Sequence, residues 1–251
     1  MSKKRKVVPL GIRHRASLRS KIELEKKHQR SREAVTRFRM TVRGRFPSQK
    51  MGRMVDWESQ PERRACYRFE FSPAVVQFQE QPSPIRFPNG DLLAKYTPDF
   101  ELTLCNGEIW YVEIKPLDHL HWPELRQRLS LASDWYRSNG YQFIVITDEE
   151  LIHPDLESNI AFLRHYLTHE LGQSTVRHGL SFISQAKAPT LGELHEYFGD
   201  KVTAYALLCN HLISTDLSFP LSSDSKVYLS EEDSHATVLF SYRSAPDFGL
   251  S

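Results

Sequence analysis

Two strand-like runs, Tyr96 to Leu104 and Ile109 to Lys115, stand on either side of Cys105-Asn106-Gly107. A short Asn-Gly turn between such runs folds them back on one another as an antiparallel hairpin. Side chains alternate along a strand, so Glu113 and Lys115 must share one face while Ile114 takes the other. With Asp99 at the start of the paired strand, its carboxylate can meet that of Glu113 and offer hard oxygen donors suited to Mg²⁺ or Mn²⁺. Lys115, one pleat further on, would face the negative charge that builds on a phosphodiester under attack. Each residue also has a plainer reading. Glu-x-Lys suits a solvated strand face as an ion-pair stripe, and Asp99 after Pro98 can simply open a strand.

The flanks supply an α/β context. Ser59-Gln60-Pro61-Glu62 has the form of a capping box with Pro in the first turn, and Ala65, Cys66 and Phe69 follow on one face, which predicts a helix from Ser59. Short strands are predicted at Ala74 to Gln79 and Ile85 to Phe87. Leu125, Leu129, Ala132, Trp135 and Tyr136 recur at helical spacing up to Asn139-Gly140, and Tyr141 to Ile146 reads as a buried strand. The order is α-β-β-β-α-β. Beyond His153-Pro154 the pattern turns helical, with Leu156, Ile160, Leu163 and Leu167 on one face. A second capping box at Thr190 to Glu193 and a cap at Asp200 follow, then strand-like pieces at Leu217 to Leu221 and Val227 to Leu229. Helix, turn, helix, hairpin is the outline of a winged helix.

Charge divides the chain differently. The formal net charge of +2 over 251 residues hides 18 Lys and Arg against three acids in the first 53 residues, a net +15, and 15 cations against 28 acids in the rest, a net −13. A cationic arm on an acidic body fits a polyanionic partner, with a solvated arm as the plainer reading. Residues 14 to 40 read as a basic helix, and Ser2-Lys3-Lys4-Arg5-Lys6-Val7 has the form of a nuclear-localisation signal or simply of the start of that arm. The expected domains are therefore a DNA-binding arm over 1–53, a mixed α/β domain over 54–153 and a winged-helix-like domain over 154–251. No run of eighteen apolar residues or apolar leader occurs, which argues against a membrane span or secretion. The three cysteines are isolated, which fits a reducing interior better than a disulfide or zinc framework.

The Pro98-Asp99 … Glu113-Ile114-Lys115 pattern resembles that of the restriction-endonuclease-like superfamily of metal-dependent nucleases. Together with Glu58 to Arg63, Phe71 to Pro82, Tyr96-Thr97-Pro98-Asp99-Phe100 and Val112 to Pro116, it resembles the N-terminal domain of the TnsA family over roughly residues 55 to 150. That resemblance implies a restriction-endonuclease-like mixed sheet flanked by helices, followed by a mostly helical, winged-helix-like domain. It also implies a DNA endonuclease that nicks the 5′ ends of a transposon, working with the DDE transposase TnsB and the AAA+ ATPase TnsC in a bacterial, nucleoid-associated, cytoplasmic setting. It gives Glu62, Asp99 and Glu113 metal-holding roles and makes Lys115 the catalytic lysine. Glu62 is also the natural partner of the Ser59 cap, and Glu58 is the second candidate for its acidic role. Two other functions stay open: a stand-alone restriction-like or junction-resolving nuclease, and a non-catalytic DNA-binding adaptor.

Overall fold

A computed structural model describes residues 42–90, 92–230 and 239–249. The expected basic helix over 14 to 40 lies outside the described residues. Those described divide into two units, residues 42–152 with 239–249, and residues 153–230.

The first unit begins with an antiparallel hairpin, β1 (Gly44–Ser48) and β2 (Arg53–Trp57). This corrects the arm boundary at residue 53. Gly44 belongs to a strand, where an added Cβ would stand 2.3 Å from the Trp57 ring. Three cations of this stretch have partners within the unit. Arg45 pairs with Asp56 at 3.4 Å, and the Arg53 guanidinium donates twice to Glu80, at 2.9 and 2.7 Å. Lys50 is buried against helix α1 (Gln60–Phe71), donating to Phe69 O at 2.8 Å and Ser72 O at 2.7 Å. These carbonyls at the C-terminal end of the helix are the orphan acceptors that a cation satisfies best.

After α1 come β3 (Val75–Glu80), β4 (Ile85–Asn89), β5 (Leu92–Tyr96), β6 (Phe100–Leu104) and β7 (Ile109–Lys115). A short 3-10 helix, Leu117–His121, leads to α2 (Pro123–Ser138), then β8 (Gln142–Thr147) and the single turn α3 (Asp148–Leu151). Strands β3, β6, β7 and β8 form the main sheet in that order, antiparallel except for the β7–β8 pair. Main sheet and helices thus follow the expected α-β-β-β-α-β order in a mixed α/β unit. Strands β4 and β5 form a separate two-stranded sheet. The expected single strand Tyr96 to Leu104 is broken at Thr97-Pro98-Asp99, because Pro98 cannot donate to a ladder.

Strand alternation sorts the core into two layers. Phe100, Leu102, Val112, Ile114, Ile144 and Ile146 face α1 and β1–β2, while Phe143 and Val145 pack with Tyr96, Leu129 and Tyr136 on the side of α2 and the β4–β5 hairpin. The C-terminal residues return to this unit, which corrects the expected domain 154–251. Arg243 exchanges two backbone hydrogen bonds with Val145, at 2.9 and 2.7 Å, and covers the free edge of β8. Phe240 enters one core layer and Phe248 the other. Neither position stands out in sequence, because a single bridge has no periodicity.

The second unit contains α4 (Pro154–Leu163), a 3-10 turn at Arg164–Tyr166, α5 (Gln173–Ala186), α6 (Leu191–Phe198), α7 (Val202–Cys209) and the two-residue strands β9 (Ile213–Ser214) and β10 (Tyr228–Leu229). The Thr190–Glu193 capping box forms at both ends, and Asp200 accepts from the Thr203 N–H at 2.7 Å at the start of α7. The expected strand Leu217 to Leu221 does not form. Buried Asn159 instead donates to Leu217 O and Phe219 O and accepts from the Leu221 N–H, so one amide replaces a ladder. Helix α5 escaped the sequence reading because Gly172 offers no capping side chain, and only Gly179 and Ile183 of the helix are buried.

Candidate active site

The site forms where β6 begins and β7 ends. Phe100 is paired with Val112, so Asp99 enters β6 beside Glu113, and the Asp99 Oδ2 accepts from the Ile114 N–H at 2.7 Å. Glu113 and Lys115 share the face away from Ile114, as alternation requires. The Lys115 Nζ lies 2.5 Å from Glu113 Oε1 and 3.5 Å from Asp99 Oδ2, and it donates to Ile114 O at 3.2 Å. Three oxygens therefore surround one ammonium. Glu113 is buried, and its second oxygen accepts from the Tyr96 hydroxyl at 2.6 Å.

Electrostatics at this point are unbalanced. Burial, then the neighbouring Glu113 charge, pushes the Asp99 carboxyl up to about 8, with Lys115 offsetting only part. Burial pulls the Lys115 ammonium down, but Asp99 and Glu113 outweigh it and hold its pKa above the ordinary lysine value. Burial, followed by Glu113, raises the Tyr96 phenol well above its usual range, so it stays a donor. Two crowded carboxyls against one ammonium favour a proton on Asp99 at neutral pH, and a further cation can take that proton's place.

Of the four residues expected at the site, the structure brings together Asp99, Glu113 and Lys115. Glu62 is held elsewhere. Its Oε2 accepts from the Glu58 N–H at 2.7 Å and its Oε1 from the Ser59 hydroxyl at 2.9 Å, while its own N–H donates to Ser59 Oγ at 3.2 Å. This is the capping role weighed above. Burial raises its pKa, against the pull of the Glu58 amide and Ser59, and its charge is still felt by Asp99 and Lys115. Among the described residues, no three His, Cys, Asp or Glu side chains form a ready metal cluster. The donor set that does converge is Asp99, Glu113 and the Ile114 carbonyl, all hard oxygens of the kind Mg²⁺ prefers. Lys115 already holds a positive charge among them, so the residues fit a small cation.

Other conspicuous residues sort clearly. Glu58, the second-ranked acid, accepts from the Gln81 side chain at 3.2 Å. His119 stacks on Trp122 at 4.1 Å, and Trp122 is 55% exposed rather than packed in the core. The Arg63 guanidinium sits 5.9 Å from the Trp57 and Tyr67 rings. Tyr96 is marked in the sequence only as part of the Tyr-Thr-Pro-Asp-Phe stretch, which does not reveal its contact with Glu113. The signal was present, since a buried tyrosine needs a hydroxyl partner, but which acceptor it meets depends on the break at Pro98.

No helix among the described residues is long and apolar enough to cross a membrane. No curated protein matches the chain. A family model does match, that of the TnsA-like endonuclease N-terminal domain, over residues 72–148. The matched stretch holds Asp99, Glu113 and Lys115 and begins after Glu62. Over Ser72 to Asp148, this chain is similar to the TnsA-like endonuclease N-terminal domain.

Proposed function

We propose that this protein is the metal-dependent DNA endonuclease subunit of a heteromeric transposase, nicking the 5′ ends of the element during cut-and-paste transposition. The observation that carries the reading is the convergence of Asp99, Glu113, the Ile114 carbonyl and the Lys115 ammonium within a TnsA-like domain. Asp99, Glu113 and the Ile114 carbonyl would hold Mg²⁺ or Mn²⁺. Bound there, the ion would supply Lewis-acid polarisation of the phosphodiester and ease deprotonation of the attacking water.

The chain's own residues do the rest. The Ile114 N–H fixes the Asp99 carboxylate, and Tyr96 fixes one oxygen of Glu113 so that the other points at the reacting centre. Lys115, kept charged by its two acids, is set to stabilise the negative charge that builds on the phosphoryl oxygens. Water adds to phosphorus, the P–O3′ bond breaks and the leaving oxygen takes a proton, giving 3′-hydroxyl and 5′-phosphate ends. Glu62 can serve as a third acid only by leaving the Ser59 cap.

Partner assignments rest on the same resemblance. TnsB would cut and join the 3′ ends, and TnsC would be contacted through the second unit, whose α6–turn–α7 followed by β9 and β10 is compatible with a winged helix. The basic residues before position 42 would add salt-sensitive DNA affinity. The deciding experiment incubates the protein with its transposase partner, transposon-end duplex and Mg²⁺. The expected product is a 5′-strand nick, absent with Asp99→Ala and Lys115→Ala. Wild-type nicking by either variant overturns the assignment.

A further inference from the structure

We propose that the β4–β5 hairpin grips the DNA backbone beside the cut, with Arg86 and Lys95 as its phosphate contacts and Leu93, on the same face, lying against a groove. The inference rests on the nuclease reading above and extends it to substrate binding.

The hairpin is an insertion between two strands of the main sheet, and its roots lie at the site. The Gln81 N–H donates to Asp99 O at 2.8 Å, which ties the start of the insertion to its end. Tyr96, the last residue of β5, holds Glu113. One face of the hairpin is anchored, since Ile85, Phe87 and Tyr96 lie in the core layer that also contains Leu129 and Phe143. On the other face, Arg86 stands directly opposite Lys95 in the β4–β5 register. Both are exposed, and neither has a hydrogen-bond or ion-pair partner among the described residues. Like charges placed directly opposite each other in a hairpin destabilise the pairing. An anion bridging them turns that cost into affinity.

Position identifies the anion. Lys95 is four residues from Asp99, at most about 14 Å along an extended chain. At about 3.4 Å of rise per nucleotide, this is within about four nucleotides of a phosphate held at Asp99. A pair of carboxylates repels incoming DNA, so cations beside the pair must offset that field. A third, Arg128, lies 5.4 Å over the Tyr96 ring. Two residues from Lys95 on the same face of β5, Leu93 is 65% exposed. Apolar side chains held next to phosphate-binding cations are the type that lies on sugar edges or wedges a base step in the minor groove.

The test is fluorescence anisotropy of a 30-base-pair duplex with the full chain in EDTA, titrated from low to high salt. For Arg86→Ala/Lys95→Ala, the slope of log affinity against log salt should fall in magnitude by about two, near 0.9 per lost phosphate contact. Arg86→Lys should keep the wild-type slope, whereas Leu93→Ser should lower affinity at an unchanged slope. Wild-type affinity and slope in the double alanine variant, with its circular dichroism unchanged, overturns the proposal. EDTA separates binding from catalysis. A reduced slope in a protein that never cuts DNA in Mg²⁺ would remove the nuclease reading and leave the hairpin standing, and a cutting protein with an unchanged slope would do the reverse.

Discussion

The first unit sets two lysines against acids, Lys50 buried and Lys115 partly buried, and the two centres use them in opposite ways. Lys50 donates to two helix-end carbonyls, while Glu70 accepts from the Ser48 hydroxyl at 2.6 Å and from the amides of Gln49 and Lys50 at 2.9 and 3.1 Å. Neutral groups satisfy both charges, so burial dominates. It lowers Lys50 to about 7 against a partial pull from Glu70, and it raises Glu70 against the opposing pull of Lys50 and those hydrogen bonds. At Asp99, Glu113 and Lys115 the charges face one another instead, and acids outnumber the ammonium. The first arrangement locks a hairpin to a helix. The second crowds like charges that a proton on Asp99 or a bound cation relieves, which is how an active site differs from a structural ion cluster.

Neutralising one charge at each centre should therefore separate activity from stability. Asp99→Asn removes repulsion and keeps an oxygen for the Ile114 N–H. Nicking should fall by at least about 100-fold, the scale of losing one electrostatic contact to a transition state, while the urea midpoint stays level or rises. Glu70→Ala should do the opposite, costing about 3–5 kcal/mol by leaving buried donors and Lys50 unmatched, with residual folded protein still able to nick. A large stability loss in Asp99→Asn, or a neutral Glu70→Ala, would erase the distinction.

The pH dependence of stability should carry the same contrast. An unfolded lysine keeps its proton to about 10.5, whereas folded Lys50 releases it above about 7. Between these values the unfolded chain binds more protons, so this residue makes stability rise with pH. Asp99 acts in reverse. Unfolded it ionises near 3.8, folded only near 8, so the folded state binds the extra proton and stability falls as pH rises through that window. Urea midpoints in EDTA at pH 5, 7 and 9 should show Asp99→Asn losing the falling limb and Lys50→Met losing the rising one. Identical pH profiles for all three proteins would show that neither shift exists.

These two centres also differ in how visible they are in sequence. Asp99, Glu113 and Lys115 follow from alternation and one Asn-Gly turn, because a period of two and a tight turn are local rules. The Lys50–Glu70 lock joins residues twenty positions apart through a helix end, and Lys50 reads as one more charge in a basic run. The same limit hid the return of Arg243 to the edge of β8, where one backbone bridge leaves no pattern. Capping boxes at Ser59 and Thr190 were legible for the opposite reason, since both partners lie within four residues.

Glu62 lies between the two classes, since it caps a helix while its charge reaches the site, and it gives the smallest expected effect. Glu62→Gln keeps a side-chain oxygen for the Glu58 N–H or the Ser59 hydroxyl, so the cap survives and stability should change by less than about 1 kcal/mol. With both oxygens of Glu62 committed to the cap, nicking should stay within a few-fold of wild type in saturating Mg²⁺. Glu62→Ala should cost about 1 kcal/mol more through the lost cap, again with little change in rate per folded molecule. A rate loss for Glu62→Gln comparable to that of Asp99→Asn would mean that the carboxylate leaves Ser59 when DNA and metal bind. Ser59→Ala would then distinguish the two roles, because freeing Glu62 from the cap should lower the Mg²⁺ concentration needed for half-maximal nicking if it is a ligand and leave that concentration unchanged if it is not.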